Sequence, residues 1–266
     1  MKKFILFSLY LIPVVLLIGF VANFSVNVPI DDEWRLASLF EKIAAGNVTF
    51  NDFWALHSNH RILFPKITIA VLAFASRWNI NYQLCLSIAL AVVTFIALYK
   101  LSSMQVKNAG DNLWHLANIL TCILLCSLVQ HENWLWGFQL AWFLVNLCFV
   151  AAVYALVSNH KLLPYIKISI AAIFCLIASF SLAQGLLSWL AAIPAVAALE
   201  GNAARKRKRL ILWMLLFAAT CAVYSIDYHP SRKASIISLL NKPLVVIDYF
   251  LSLLVRQLFA CLEFLH

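Results

Sequence analysis

The stretch ILFPKITIAVLAFA, residues 62–75, decides how this 266-residue chain folds. It is apolar enough to enter a membrane, yet as a helix it rises only about 21 Å, short of the roughly 30 Å of hydrocarbon that a full crossing needs. Taken as a crossing, it puts the basic run Arg205–Arg209 (RKRKR) on the same side as the acidic stretch that precedes it. Taken as a short re-entrant or half-inserted helix over 62–76 that returns at Arg77, Trp78 and Asn79, it leaves the basic loops together. The second reading agrees with the rule that short loops rich in Lys and Arg stay cytoplasmic.

The rest of the chain supports a membrane fold. Hydrophobic residues make up 64% and charged residues 12%, with a mean hydropathy of +0.90, whereas soluble domains carry about 25% charged residues. Apolar runs recur at 4–22, 83–99, 112–130, 138–157, 165–181, 186–200 and 209–226. They are continuous and not alternating, which excludes a transmembrane barrel. The expected fold is all-α: a polytopic transmembrane helical bundle of about seven to eight spans, forming a single domain over 1–266. The eighth span is Pro243–His266, with Asp248 and Arg256 turned inward. No polar tail follows it, a pattern compatible with a fragment of a longer protein.

Lys2 and Lys3 open an apolar segment that is long for a signal peptide and lacks a small-x-small cleavage site, so it reads as an uncleaved first span with a cytoplasmic N-terminus. Residues 31–61 then form an outer, periplasmic loop, and the chain is a multi-pass protein of a bacterial inner (plasma) membrane. Inner loops fall at Lys100–Lys107, His160–Lys167 and Arg205–Arg209; outer loops fall at 131–139, 180–185 and 225–233. The net charge of +9 therefore reflects topology, and no nucleic-acid partner is expected. All seven cysteines lie in apolar runs with no CxxC or Cys/His spacing, as small buried hydrophobes do.

The outer loop reads DDEWRLASLFEKIAAGNVTFNDFWALHSNHRILFPK from Asp31 to Lys66 and holds Asp31, Asp32, Glu33, Glu41 and Asp52, five of the eleven acids in the chain. Asp31 or Asp32 suits the N-cap of a helix whose Leu36, Leu39, Phe40 and Ile43 share a face before Gly46. A cap needs one acid and not a triplet, so a functional carboxylate is the competing reading. Asn51 is the expected cap of a second short amphipathic helix, NDFWALH, lying on the membrane surface. After it come His57, Asn59, His60, Arg61 and Lys66, donors suited to a phosphate at head-group depth. The competing reading for Arg61 and Lys66 is that they snorkel to lipid head groups.

Two further outer segments add polar and aromatic groups. HENWLWGFQLAW (131–142) sets Glu132 and Gln139 among Trp134, Trp136 and Trp142, as in sugar sites, although interfacial tryptophans also serve as anchors. FSLAQGLLSW (180–189) interrupts a long apolar run with Ser181, Gln184 and Gly185, a break tolerated where it lines a cavity.

A first span, an outer loop opening on paired acids (Asp31, Asp32), amphipathic helices, the segment HSNHRILFPK (57–66) and a short apolar helix together resemble the GT-C superfamily of integral-membrane glycosyltransferases. ENWLWGFQ and FSLAQGLLSW look like segments of its bacterial O-antigen and cell-envelope members. The resemblance implies transfer, with inversion, of a sugar from a polyprenyl-phosphate-linked donor to an envelope glycan or lipid acceptor on the outer face. Asp31 or Asp32 would be the general base, or Asp32 would hold a divalent cation (Mg or Mn) where a member uses one. His57, His60, Arg61 and Lys66 would bind the donor phosphate; Glu132, Trp136, Gln139 and Gln184 would contact sugar or acceptor. The chain departs from the family in lacking further spans and a C-terminal soluble domain, and in carrying an acidic triplet. The alternatives are a multi-span transporter or lipid flippase, which would carry ionisable residues near the membrane midplane, and a non-catalytic membrane subunit or remnant.

Overall fold

The computed structural model describes residues 2–105, 111–158 and 162–229, with scattered positions between 243 and 255. Most of the expected eighth span, Arg256 and Cys261 included, lies outside the described residues; Asp248, expected to turn inward, is exposed. Among the described residues all regular structure is helical, and the one extended pairing joins His57 to His60.

Helix α1 (Lys2–Phe24) is followed by a 3-10 turn at Asp31–Leu36, then α2 (Ala37–Ala44), α3 (Phe50–Trp54) and α4 (Leu63–Ser76). Next come α5 (Ile80–Gln105), α6 (Asp111–Leu125), the short α7 (His131–Leu135), α8 (Leu140–Val157) and α9 (Pro164–Ser179). The last are the short α10 (Leu187–Ala191) and α11 (Ile193–Ala198), and α12 (Ala203–Ser225). Five stretches are long and apolar enough to cross a membrane: 6–24, 80–104, 112–135, 137–157 and 203–225. The expected crossings at 165–181 and 186–200 are shorter in the structure. α9 has 16 residues, about 24 Å of helix, and the following segment is split at Ala192 into α10 and α11.

The outer surface of the bundle is apolar, as Phe7, Val15, Leu16, Leu124, Ile173 and Leu215 on several helices are exposed. Lipid, not water, must cover such a surface, which makes this a membrane protein. Inside, α8 and α9 approach closely through Cys148, Ala152, Ala171, Ala172, Cys175 and Ala178, the small residues that bring membrane helices together. Trp189 and Trp213 fill the space toward α12, and each indole N–H is satisfied, on Ser179 Oγ at 3.1 Å and on the Trp189 carbonyl at 2.8 Å. A second cluster joins α1, α5, α6 and α7 around Leu17, Leu84, Cys122 and Trp134.

Contacts between elements define the two ends of the bundle. At one end, the Ile80 N–H donates to Asn27, the Trp136 indole to the Ile30 carbonyl, the Phe64 N–H to the Phe180 carbonyl, and Arg61 to Tyr224. The other end carries Lys100, Lys167 and Arg205–Arg209. α4 has both of its ends at the first of these. Its start meets Phe180, and beyond its finish Trp78 packs edge-on against Phe40 (4.9 Å) and Trp34 (5.9 Å). Arg77 and Trp78 both adopt left-handed φ values, +57° and +55°, and turn the chain sharply from α4 into α5.

The break after α9 is made by its own side chains. Ser179 and Ser181 hydroxyls donate back to the Cys175 and Ile177 carbonyls, competing with helix continuation. A Cβ at Gly185 would overlap the Ala178 carbonyl, so only glycine lets the returning chain pass this close.

Candidate functional site

The acidic triplet divides into three different environments. Asp31 is exposed and has a left-handed φ of +45°. Asp32 is partly exposed: its Oδ1 lies 3.1 Å from Arg35 Nε and its Oδ2 3.8 Å from His57 Nε2. Glu33 is buried, and its Oε2 accepts the Ile30 N–H at 2.8 Å. Neither Asp31 nor Asp32 makes the expected cap; Glu33 reaches back one turn and satisfies the helix start instead. Its Oε1 points at Gly137, where a Cβ would lie 2.5 Å from it and 2.8 Å from Gln83 Oε1, so glycine makes room for both side chains. Burial raises the Glu33 carboxyl above its ordinary range.

The second short helix is capped by Thr49, not by Asn51. Asp52 Oδ2 accepts from both the Thr49 N–H and hydroxyl at 2.8 Å, while Asp52 Oδ1 bonds Lys42. Lys42 first, and Thr49 next, hold the Asp52 carboxyl down at about 2. Lys66, in the first turn of α4, sends Nζ to the Asp52 and Ala55 carbonyls at 3.0 and 2.8 Å. Burial depresses its ammonium to about 8. A tight turn follows, with His57 and His60 exchanging backbone hydrogen bonds and Ser58 at φ +55°. Ser58 Oγ accepts from Arg35 at 2.8 Å. The His57 ring lies on Phe138 at 4.7 Å, and burial lowers it to about 4 despite the opposing pull of Asp32, so it is neutral at pH 7.

These elements enclose a cavity of about 230 Å³ lined by Arg35, Lys42, Lys66, His57, Ser38, Ser58 and Asp52 over a floor of Leu36, Leu39 and Leu56. Asp52 is already bound to Lys42, and Asp32 stands beside Arg35. Three cations against one lining carboxylate leave the cavity positive. Two of the three Lys66 N–H groups are bonded to carbonyls, and the third has no partner among the described residues.

The expected residues are thus only partly brought together. Asp32, His57 and Lys66 converge, and Trp136 joins them through Phe138, its ring 6.1 Å away. Gln139 is half-buried nearby in sequence, Glu132 is exposed on α7, and Gln184 lies in the turn after the α9 break with a buried Nε2 that has no partner among the described residues. His60 is half-buried, lowered by burial, and does not line the cavity.

Arg61 is placed differently from the expectation of a phosphate clamp. It is buried and donates Nε to the Tyr224 carbonyl at 2.7 Å, NH1 to Trp54 O at 2.9 Å and NH2 to Ile226 O, with its guanidinium 4.4 Å over the Trp54 ring. It closes the end of α12 onto the loop. Sequence reasoning had not singled out Arg35, Lys42 and Ser58. The signals were the three-residue spacing of Asp32 and Arg35, and the Thr49–Asp52 box that aims Asp52 back at α2.

A resident divalent cation does not suit this donor set. Asp32 offers one carboxylate beside a neutral imidazole, Glu33 is turned away to Gly137, and Arg35 and Lys66 bring positive charge. Among the described residues no three His, Cys, Asp or Glu side chains gather as metal ligands. Comparisons with protein families, with curated proteins and with solved structures find no match to this chain.

Proposed function

We propose that the chain is a membrane-embedded glycosyltransferase that takes a polyprenyl-phosphate-linked sugar at the acidic-loop end of the bundle, on the outer face of a bacterial inner membrane. The observation that carries this reading is the positive cavity of Arg35, Lys42 and Lys66 with Asp32 and His57 at its edge. A phosphate carried by a lipid needs fixed donors beside the bilayer surface, and Arg and Lys supply a planar fork and a point charge. The row His57, Phe138 and Trp136 supplies the apolar faces on which a sugar ring rests.

In the proposed step Asp32 accepts the proton of an acceptor hydroxyl. The freed oxygen attacks the anomeric carbon from the side opposite the phosphate, a new C–O bond forms, and the old one breaks. The electron pair leaves with the lipid phosphate, whose added charge Arg35, Lys42 and Lys66 stabilise. Arg35, 3.1 Å from Oδ1, orients Asp32, and neutral His57, tilted on Phe138, stands 3.8 Å from Oδ2. A transporter would carry its ionisable groups near midspan; His115, hydrogen-bonded to Tyr10 at 3.2 Å, lies one turn from the start of α6.

The test is release of polyprenyl phosphate from polyprenyl-phosphate-linked hexoses in membranes containing the protein. Asp32→Asn lowers turnover by about a hundred- to ten-thousand-fold, the range for loss of a general base, while Asp31→Asn stays within a few-fold of the unmodified chain. Unchanged turnover in Asp32→Asn removes the assignment.

A further inference from the structure

Glu33 is the buried acid of the triplet, 1% exposed, and the proposed reaction does not use it. Its Oε2 accepts the Ile30 N–H at 2.8 Å, but Oε1 has no hydrogen-bond partner among the described residues. Gln83, on α5, is also 1% exposed, and its Oε1 too is without a partner there. The two oxygens converge. One point beside the Gly137 Cα, where a Cβ would stand, is 2.5 Å from the first and 2.8 Å from the second. A carboxylate oxygen and an amide oxygen only accept hydrogen bonds, so buried together they repel unless a hydrogen lies between them.

The hydrogen can come from either side. A Gln83 amide turned end for end would offer an N–H to an ionised Glu33, and a full negative charge would then stay buried without a counter-charge. Arg35, the one cation of the 31–36 turn, is engaged by Asp32 at 3.1 Å and by Ser58 at 2.8 Å. Of the other titratable groups around it, Asp31 and Asp32 share the turn, His57 lies beyond Phe138, and Tyr82 on α5 and Glu132 on α7 are exposed. What acts on the Glu33 carboxyl is burial first, which raises it, and then the N–H groups of Ile30 and Phe138, which lower it by less. The unpaired buried charge is the more costly of the two states.

We propose that Glu33 is held as the neutral acid, its Oε1–H donated to Gln83 Oε1, and that this hydrogen bond is a latch that positions Asp32. The latch joins three elements. Oε2 holds the Ile30 N–H, Oε1 reaches α5, and both lie against Gly137 in the turn that carries Phe138. Asp32 precedes Glu33 and Phe138 follows Gly137, so the latch fixes the backbone of Asp32 relative to the ring on which His57 lies. Glu33 is a positioning residue. Its effect on turnover rests on Asp32 being the base, whereas its protonation does not.

The test is infrared difference spectroscopy of the purified full chain at pH 6, unmodified minus Glu33→Gln. The C=O stretch of a protonated carboxyl is expected in the difference; its absence would mean a carboxylate facing a turned amide and overturns the proposal. Thermal unfolding is the second readout. Glutamine is the neutral isostere of the acid, so Glu33→Gln keeps Tm within about 2 °C, whereas Glu33→Leu and Gly137→Ala each lower it by about 5 °C or more. Stability supplied by Glu33 is full below its ordinary value of 4.5 and is lost as pH rises through its raised folded value, a fall that Glu33→Gln abolishes. Turnover drops about tenfold or more in Glu33→Leu, as for a misplaced reacting group, and is recovered in Glu33→Gln. A Glu33→Gln chain as unstable as Glu33→Leu overturns the proposal. If the spectrum and the unfolding follow expectation while Asp32→Asn keeps full turnover, the neutral Glu33 stands and the Asp32 assignment falls.

Discussion

Arg61 serves three carbonyl groups, those of Tyr224, Ile226 and Trp54, and is itself buried between Trp54 and Tyr224. Replacing it with leucine strands those acceptors away from water, so Arg61→Leu is expected to lower unfolding stability by about 3 kcal/mol or more. Thermal unfolding in detergent measures this; a loss below 1 kcal/mol would contradict the staple. His57 sets a pH dependence. Its folded pKa of about 4 lies below its ordinary 6.5, so the unfolded chain binds more protons between those values. Stability contributed by neutral His57 is full above about pH 6.5 and is lost as pH falls toward 4. His57→Phe should flatten that window while keeping the stack on Phe138, and an unaltered profile in the variant would assign the titration elsewhere. At this scale the sequence was partly legible. That the acidic loop and the 57–66 segment lie at one end of the bundle follows from the order of polar and apolar runs, whereas the approach of Asp32 to His57 depends on the fold of the loop between them. Which of Asp31, Asp32 and Glu33 turns inward does not follow either, because Gly137 and Gln83, far along the chain, make the space for Glu33.

α4 has an apolar length of 14 residues and begins and ends at the same end of the bundle. Single cysteines at Glu41, Arg77 and Lys208, probed with a membrane-impermeant thiol reagent in sealed vesicles, therefore divide two to one. Glu41→Cys and Arg77→Cys label from one side and Lys208→Cys from the other. Labelling of Arg77→Cys together with Lys208→Cys would make α4 a crossing. Long apolar runs and the interruption at Gln184 and Gly185 could be read directly, because hydrophobic length and the glycine requirement are local. The start of α3 could not be placed from single-residue preference: Asn51 is a good cap, but the Thr49–Asp52 box satisfies two donors at once and wins. The end of α9 was legible to within two residues: the expected run to residue 181 stops at Ser179, where the serine hydroxyls turn back onto the helix.

Across the whole molecule, charge is sorted between two ends separated by apolar helices. One end gathers Arg205–Arg209, Lys100 and Lys167; the other gathers the acidic triplet, Arg35, Lys42, Lys66 and the aromatic row. The overall bundle was legible because composition and run length fix it, whereas the cavity depends on how α2, α3 and the 57–60 turn close over one another. That cavity is the centre of the functional proposal, and its anion chemistry can be measured without knowing the sugar. The purified chain is titrated with undecaprenyl phosphate, the leaving group common to such donors, at pH 7.5 and pH 9.5, alongside Arg35→Gln, Lys66→Met and Lys208→Gln. Because Lys66 loses its proton above about pH 8, affinity should fall at the higher pH, and Lys66→Met should remove that fall. Arg35→Gln and Lys66→Met should each weaken binding at pH 7.5 by about tenfold or more, as expected for a lost charged hydrogen bond, with Lys208→Gln unchanged. Binding that is the same in all four proteins at both pH values would contradict the account.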